Sequence, residues 1–272
     1  MASWQSYSQT ELDEQYSPSS RIESLTTYLD EYAERSRRAR ISLDHRADLP
    51  YGPDPAERLD LFPGPGTDCA LMVYVHGGNW QALSRKDSAF IAPDAHRAGV
   101  AFAALGYGLA PGTPLPNMVT SIERGLTWLH ENAAALGFDP GRIHVAGSSA
   151  GAHLVAAAVL TRATPAAGCV LLSGMYDLEP VRHSYVNDAL RLDAATAHAL
   201  SPIRHLHADR PWVIMARGLN ETDEYARQHQ DMARAVNPAT HLVVPGRNHF
   251  DLPYDLLARS TALGDAVLAS IR

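Results

Sequence analysis

Apolar positions along this chain follow two rhythms that take turns. Short runs dense in β-branched and aromatic residues, such as Ala70–Val75, Val100–Leu105 and Arg142–Ala146, alternate with longer stretches of helical spacing. The clearest of these is 116–136, where Met118, Ile122, Leu126 and Leu129 fall on one stripe. Residues 21–40 carry a similar stripe (Ile22, Leu25, Leu29, Tyr32, Ala33), and 86–98, 150–160, 223–236 and 254–271 also read as helices. Val170–Leu172, Trp212–Ala216 and His241–Val244 read as further strands, and Arg58–Phe62 alternates as a strand with one polar face. Pro63-Gly64-Pro65-Gly66 is a turn, and 47–57, rich in Pro, Gly and Asp, is expected to be a loop. Strands alternating with helices predict an α/β chain whose mostly parallel central sheet is covered on both faces.

Two segments stand outside that rhythm. Residues 1–45 form a helical extension before the first strand. Residues 176–210 hold Pro180, Pro202 and four histidines, and are expected to form a cap-like insertion over the C-terminal edge of the sheet. Ligands bind at that edge in open α/β folds. With 272 residues and no long linker, one domain over 1–272 is the economical reading.

Composition narrows the class. The net charge is −7, and the one basic run, Arg35-Ser36-Arg37-Arg38-Ala39-Arg40, suits the last turn of a helix. A nucleic-acid surface needs clustered positive charge and is excluded. Cys69 and Cys169 open unrelated apolar runs and read as buried thiols in a reducing compartment. Met1–Ser20 lacks the apolar core of a secretory signal, and no apolar stretch is long enough to span a bilayer. A cytoplasmic protein with no membrane partner is the expectation.

The chemistry is carried by residues far apart in sequence. Gly147-Ser148-Ser149-Ala150-Gly151 has the spacing G-x-S-x-G, with Ile143 and Val145 before it and a small-residue helix after it. Such a strand-to-helix turn exposes a serine hydroxyl, and its glycines remove side chains that would clash. Upstream, His76-Gly77-Gly78-Asn79-Trp80 ends a strand with a glycine pair. The N–H groups of Gly77, Gly78 and Ala150 are candidate donors to a developing oxyanion, and His76 is expected to brace the loop. His249, in a loop after the last strand, is the candidate general base. Glu221, which follows Trp212–Ala216, is the candidate acid, with Asp223 as rival. Asp223 and Glu224 also suit a helix start, where acids cap and complement the dipole. The order Ser149, Glu221, His249 is that of the α/β-hydrolase fold. No metal or cofactor is expected: His205 and His207 lie two apart with no third ligand at a convincing distance, and neither H-x-x-x-H nor H-E-x-x-H occurs.

Beyond these motifs the chain resembles the arylformamidase (kynurenine formamidase) family of α/β-hydrolases. The likeness runs through Leu12–Ser19, Leu49–Gly52, Glu57–Asp60, His76–Gln81, Lys86–Phe90, Tyr107–Pro111, Ser149–Leu154, Ser173–Pro180, Asn187-Asp188, Ser201-Pro202, Glu221–Gln228 and His249–Asp251. It covers nearly the whole chain. The resemblance implies hydrolysis of N-formyl-L-kynurenine to kynurenine and formate in tryptophan catabolism, with Ser149, Glu221 and His249 as triad, and at the family level a homodimer. Two departures stand out. The family often has Asp at the position of Glu221, and Ser148 replaces a His before the nucleophile, which bears on substrate preference. For an aromatic formamide substrate, Trp80 is expected either to stack on the ring or to pack the oxyanion loop. Tyr185 and Asn187 are the expected contacts for the amino-acid end. Broader carboxylesterase activity, and recruitment to a biosynthetic pathway with a modified formylkynurenine, are the alternative readings.

Overall fold

The computed structural model describes residues 4–271; residues 1–3 and 272, the ends of the expected 1–272 domain, lie outside the described residues. The strands are β1 (Arg46–Pro50), β2 (Arg58–Phe62), β3 (Leu71–Val75), β4 (Ala101–Leu105), β5 (Ile143–Ser148), β6 (Gly168–Leu172), β7 (Trp212–Asn220) and β8 (Thr240–Asn248). They form one eight-stranded sheet in the order β1-β2-β4-β3-β5-β6-β7-β8. The β1–β2 and β2–β4 pairings are antiparallel and every other pairing is parallel. This is the mostly parallel sheet predicted from the alternating rhythms, with an antiparallel end added.

The principal helices are α1 (Gln9–Gln15), α2 (Leu25–Ser42), α3 (Ala92–Ala98), α4 (Leu115–Leu136), α5 (Ala150–Val155), α6 (Glu179–Arg182), α7 (Asn187–Leu190), α8 (Ala194–Ala199), α9 (Asp223–Val236) and α10 (Ala262–Ser270). Both sheet faces are covered. On one side Met118, Ile122, Leu126 and Leu129 of α4 join Leu154 of α5 and Met232 of α9. On the other, Tyr32 and Ala39 of α2 join Ala92 of α3 and Val267 of α10. Strands buried on two faces carry continuous apolar runs, which is why β3 and β4 showed no alternation.

Four expectations change. Within the expected loop 47–57, residues 47–50 belong to strand β1, paired antiparallel with β2. Leu49 is its only partly buried position, so no local pattern announces it. The helix expected over 150–160 is α5 followed by a wider π-helical turn, Ala156–Thr161. The helix expected over 254–271 is shorter: a 3-10 turn at Leu252–Asp255 comes first, and α10 starts only where Thr261 Oγ1 caps the Gly264 N–H at 3.0 Å. The helix expected over 86–98 is two 3-10 turns, Arg85–Asp87 and Ala89–Ile91, leading into α3. Helix α1 falls within the helical extension expected over 1–45 but was not delimited there, although Ser8 and Glu11 form a capping box readable from Ser-x-x-Glu.

The arginine run lies on the latter half of α2 and is largely neutralised there. Arg37 and Arg38 pair with Glu34 at 2.8 and 2.6 Å, and Arg40 reaches buried Asp60 at 3.2 Å. Among the described residues no helix is long and apolar enough to cross a membrane.

Candidate active site

Three strand ends and one loop converge at the C-terminal edge of the sheet. Ser149 directly follows β5, Glu221 follows β7, His249 follows β8, and the His76–Trp80 loop follows β3. Parallel strands in neighbouring register bring these positions to one edge whatever their distance in sequence.

The nucleophile turn is strained in the way G-x-S-x-G predicts. Ser149 sits at φ 56° and ψ −121°, a conformation rare for a side-chain-bearing residue. Its N–H bonds the Leu172 carbonyl at 2.8 Å, which helps hold the turn to the neighbouring strand. At Gly151 a Cβ would stand against the Val75 and His76 carbonyl oxygens, so the helix after Ser149 approaches β3 only with glycine there. The Tyr225 ring meets His249 edge-on with centroids 4.6 Å apart, and its hydroxyl is directed to Met175 Sδ at 3.6 Å.

The candidate acid and base lie side by side. His249 Nδ1 lies 3.5 Å from Glu221 Oε2. The other carboxylate oxygen is occupied: Ser173 Oγ donates to it at 2.6 Å and the Gly218 N–H at 2.7 Å. That division orients Oε2 toward the imidazole. Asp223, the rival, is exposed in the first turn of α9 and does not meet His249.

The His76–Trp80 loop carries the candidate donors at its bend. Gly78 has φ 97°, and a Cβ there would collide with the Ala82 carbonyl. Neither Gly77 nor Gly78 gives its N–H to a backbone carbonyl, and the Ala150 N–H opens α5, where helical donors have no partner. His76 braces the loop as expected. It stacks on Tyr107 with centroids 4.4 Å apart, and its Nδ1 donates to the Gly77 carbonyl at 2.9 Å. Burial holds its pKa down at about 4, so the ring is neutral.

These groups face one cavity of about 400 Å³. Its inner side holds Ser148, Ser149, His249, Gly77 and Gly78. Its outer side is largely apolar: Leu25, Leu29 and Tyr32 of α2, with Leu83, Phe90 and Phe250. Ser148 and Tyr74 both line it. Tyr185 stands at the rim, 40% exposed, with its hydroxyl 3.5 Å from Asn79 Nδ2.

Two expected substrate contacts lie elsewhere. Trp80 is completely buried and packs edge-on against His153, 5.2 Å between centroids, so of its two readings the packing one describes its position. Asn187 is consumed by the insertion itself. Its side chain donates to the carbonyls of Arg182 and Leu192 and accepts from the Leu192 N–H at 2.7 Å. His205 bonds the His198 carbonyl at 2.9 Å, and His207 accepts the Asp209 N–H at 3.2 Å. Among the described residues no three His, Cys, Asp or Glu side chains are placed to hold a metal.

Several residues at the site had no role in the sequence reading. Ser173 and Tyr225 lay inside stretches noted only for their resemblance. Tyr28 and Tyr32 of α2 clamp the base loop: Tyr28 bonds Asn248 Nδ2 at 2.8 Å, and the Tyr32 hydroxyl donates to the Phe250 carbonyl. From α1, the Gln15 carbonyl accepts from Thr222 at 2.6 Å, next to the acid. Only a periodic stripe was legible in α2; contacts across more than two hundred positions were not.

A serine elbow, an imidazole–carboxylate pair and free N–H donors at the C-terminal edge of a parallel sheet define an α/β-hydrolase. The comparisons agree: a family model described as alpha/beta hydrolase fold matches residues 72–225. The chain is 30% identical to the kynurenine formamidase of Salmo salar, over 93% of this chain and 92% of that one. It is 29% identical to the kynurenine formamidase of Danio rerio, over 100% of this chain and 99% of that one. Among solved structures, a Silicibacter sp. TM1040 protein provisionally assigned as a thioesterase superposes with a TM-score of 0.84 at 29% identity, covering 95% of this chain and 99% of that one. The chain belongs to the kynurenine formamidase (arylformamidase) family of α/β-hydrolases.

Proposed function

We propose that this hydrolase cleaves aryl formamides, with N-formyl-L-kynurenine as its reference substrate, through a Ser149–His249–Glu221 triad. The observation that carries the reading is the pairing of His249 Nδ1 with Glu221 Oε2 at 3.5 Å, in a cavity shared with the Ser149 hydroxyl. Apo catalytic bonds are often long and tighten when substrate binds. With Nδ1–H directed at Glu221, the unprotonated Nε2 is left to act as base.

In this mechanism His249 takes the Ser149 proton as Oγ attacks the formyl carbon. The carbonyl oxygen becomes an oxyanion stabilised by the N–H groups of Gly77, Gly78 and Ala150. Collapse breaks the C–N bond. An arylamine leaves only if protonated, and His249 returns the proton to its nitrogen. Water, deprotonated by His249, then attacks the formyl ester, releasing formate and restoring Ser149. The formyl group carries only hydrogen beside its carbonyl, so the acyl side needs little space. The larger chamber then falls to the leaving group.

A second reading, a carboxylesterase of broader specificity, is favoured by the apolar outer side of the cavity. Arylamine release from N-formyl-L-kynurenine, measured beside phenyl acetate hydrolysis, separates the two. A kcat/KM dominated by the ester supports the second reading. Free Cys69 and Cys169 support a cytoplasmic setting. A homodimer is part of the same proposal, supported by the open edge strand β8 with Val243 and neighbouring Leu219 exposed; sedimentation velocity tests it.

A further inference from the structure

The cavity holds a charge that the formyl-transfer chemistry does not use. Asp87, at the end of the 3-10 turn Arg85–Asp87, is its one acidic lining residue among those described, and no Lys or Arg lines it. Ser84 Oγ donates to Asp87 Oδ2 at 2.8 Å, and Oδ1 has no partner among the described residues. The arginines nearby are engaged elsewhere, and Lys86 is exposed and outside the cavity lining. Arg85 pairs with Asp48 and with Asp60, and Arg40 binds Asp60 and the carbonyls of Arg85 and Lys86. The two histidines on the cavity wall do not pair with it either: His76 bonds the Gly77 carbonyl and His249 faces Glu221. A half-buried carboxylate in a largely apolar chamber, with no cation lining the chamber beside it, is suited to a cationic ligand group.

The leaving group of the reaction proposed above ends in an α-ammonium and an α-carboxylate. We propose that Asp87 binds the α-ammonium, so that the site selects its substrate by that cation, while the α-carboxylate points to the rim. The rim there is neutral: the Tyr185 hydroxyl donates to the Tyr16 carbonyl at 3.3 Å, and the Asn79 amide, with two N–H groups, suits a solvated carboxylate. A carboxylate turned inward would meet Asp87 with no cation to offset the repulsion. The inference rests on the aryl formamidase reading and moves the amino-acid contact from Asn187 to Asp87.

Wild-type enzyme supplies the first test, by arylamine release from four formamides. These are N-formyl-L-kynurenine, its α-methyl ester, its des-amino analogue and formanilide. The methyl ester keeps the ammonium and is expected within about threefold of the parent in kcat/KM. The des-amino analogue keeps the carboxylate and is expected to fall at least about tenfold, mainly through KM. In Asp87→Asn the parent to des-amino ratio should collapse toward unity. That ratio is internal to each preparation, so partial unfolding does not mimic the result. A loss on esterification with none on deamination, or an unchanged ratio in Asp87→Asn, overturns the assignment. Turnover of formanilide with parent and des-amino compounds equal sinks this inference alone. Phenyl acetate turnover with no formamide cleaved sinks the formamidase reading and this inference with it.

Discussion

The two sides of the catalytic cavity are built by different means. The inner side is backbone: the bend at Gly77-Gly78, the elbow at Ser149 and the opening of α5 offer N–H groups fixed by glycine geometry and strand register. The outer side is side chains gathered from α2, the 83–90 segment and the insertion. In the proposed mechanism the reaction at the carbonyl carbon depends on the first, and the choice of leaving group on the second. On that proposal chemistry is concentrated in two short motifs, whereas the leaving-group wall is dispersed along the chain.

The largest effect belongs to the inner side. Ser149→Ala should lower kcat by at least about 10⁴-fold on both formamide and phenyl acetate, with KM little changed. Equal activity of this variant, measured on protein free of wild type, removes the nucleophile assignment and the comparison with it. Glu221→Gln comes next. Losing the carboxylate that orients His249 should cost about 10³- to 10⁴-fold in kcat, whereas Asp223→Asn, on the exposed start of α9, should stay within about twofold. The reverse ranking would hand the acid role to Asp223.

Buried histidines near the inner side add to a pH dependence of stability shared with His144 and His229, whose pKa values burial holds down at about 4 and about 3. His76 and His153 are buried and neutral, each with its pKa held down at about 4 by desolvation. Unfolded, both titrate near 6.5. Between those values the unfolded chain binds more protons than the folded one, so stability is full above about pH 6.5 and falls as pH drops toward 4. Asp87 opposes the shift at His76 without reversing it. Urea midpoints should therefore be lower at pH 5 than at pH 7.5. His153→Gln, which keeps a donor for the Leu200 carbonyl, should flatten that slope. A slope unchanged by the substitution would show that the acid sensitivity arises elsewhere.

The same contrast explains what could be read before any coordinates. The parallel sheet, the elbow, the glycine pair and the base loop were legible, because each rests on a local rule: buried runs, tight turns, strand ends. Glu221 was favoured over Asp223 by its place after β7, and the 3.5 Å approach to His249 agrees with that order. The outer side was not legible. Trp80, read as either stacking on a ligand or packing the loop, packs under the loop, and Asn187, read as a ligand contact, ties the insertion together. Asp87 and Tyr225 were visible only as parts of familiar stretches. Strand β1 was hidden because an edge strand with one partly buried residue is defined by its partner, not by its own pattern.

The smallest predicted effect probes the seam between the two sides. Tyr28 on α2 bonds Asn248 Nδ2 at 2.8 Å, and Asn248 in turn accepts the Phe250 N–H at 2.8 Å through Oδ1. An outer-side helix thus steadies the turn that carries the inner-side base. Tyr28→Phe removes one hydrogen bond worth about 1 kcal/mol, and if all of it bears on the position of His249, kcat should fall about fivefold. Such a fall, with KM unchanged and the same loss on ester and formamide, would mean that α2 positions the base. A change confined to KM for the aryl formamide would instead leave α2 as a wall of the leaving-group chamber, with His249 held by its own loop through Asp251, which accepts the Asn248 N–H at 2.7 Å.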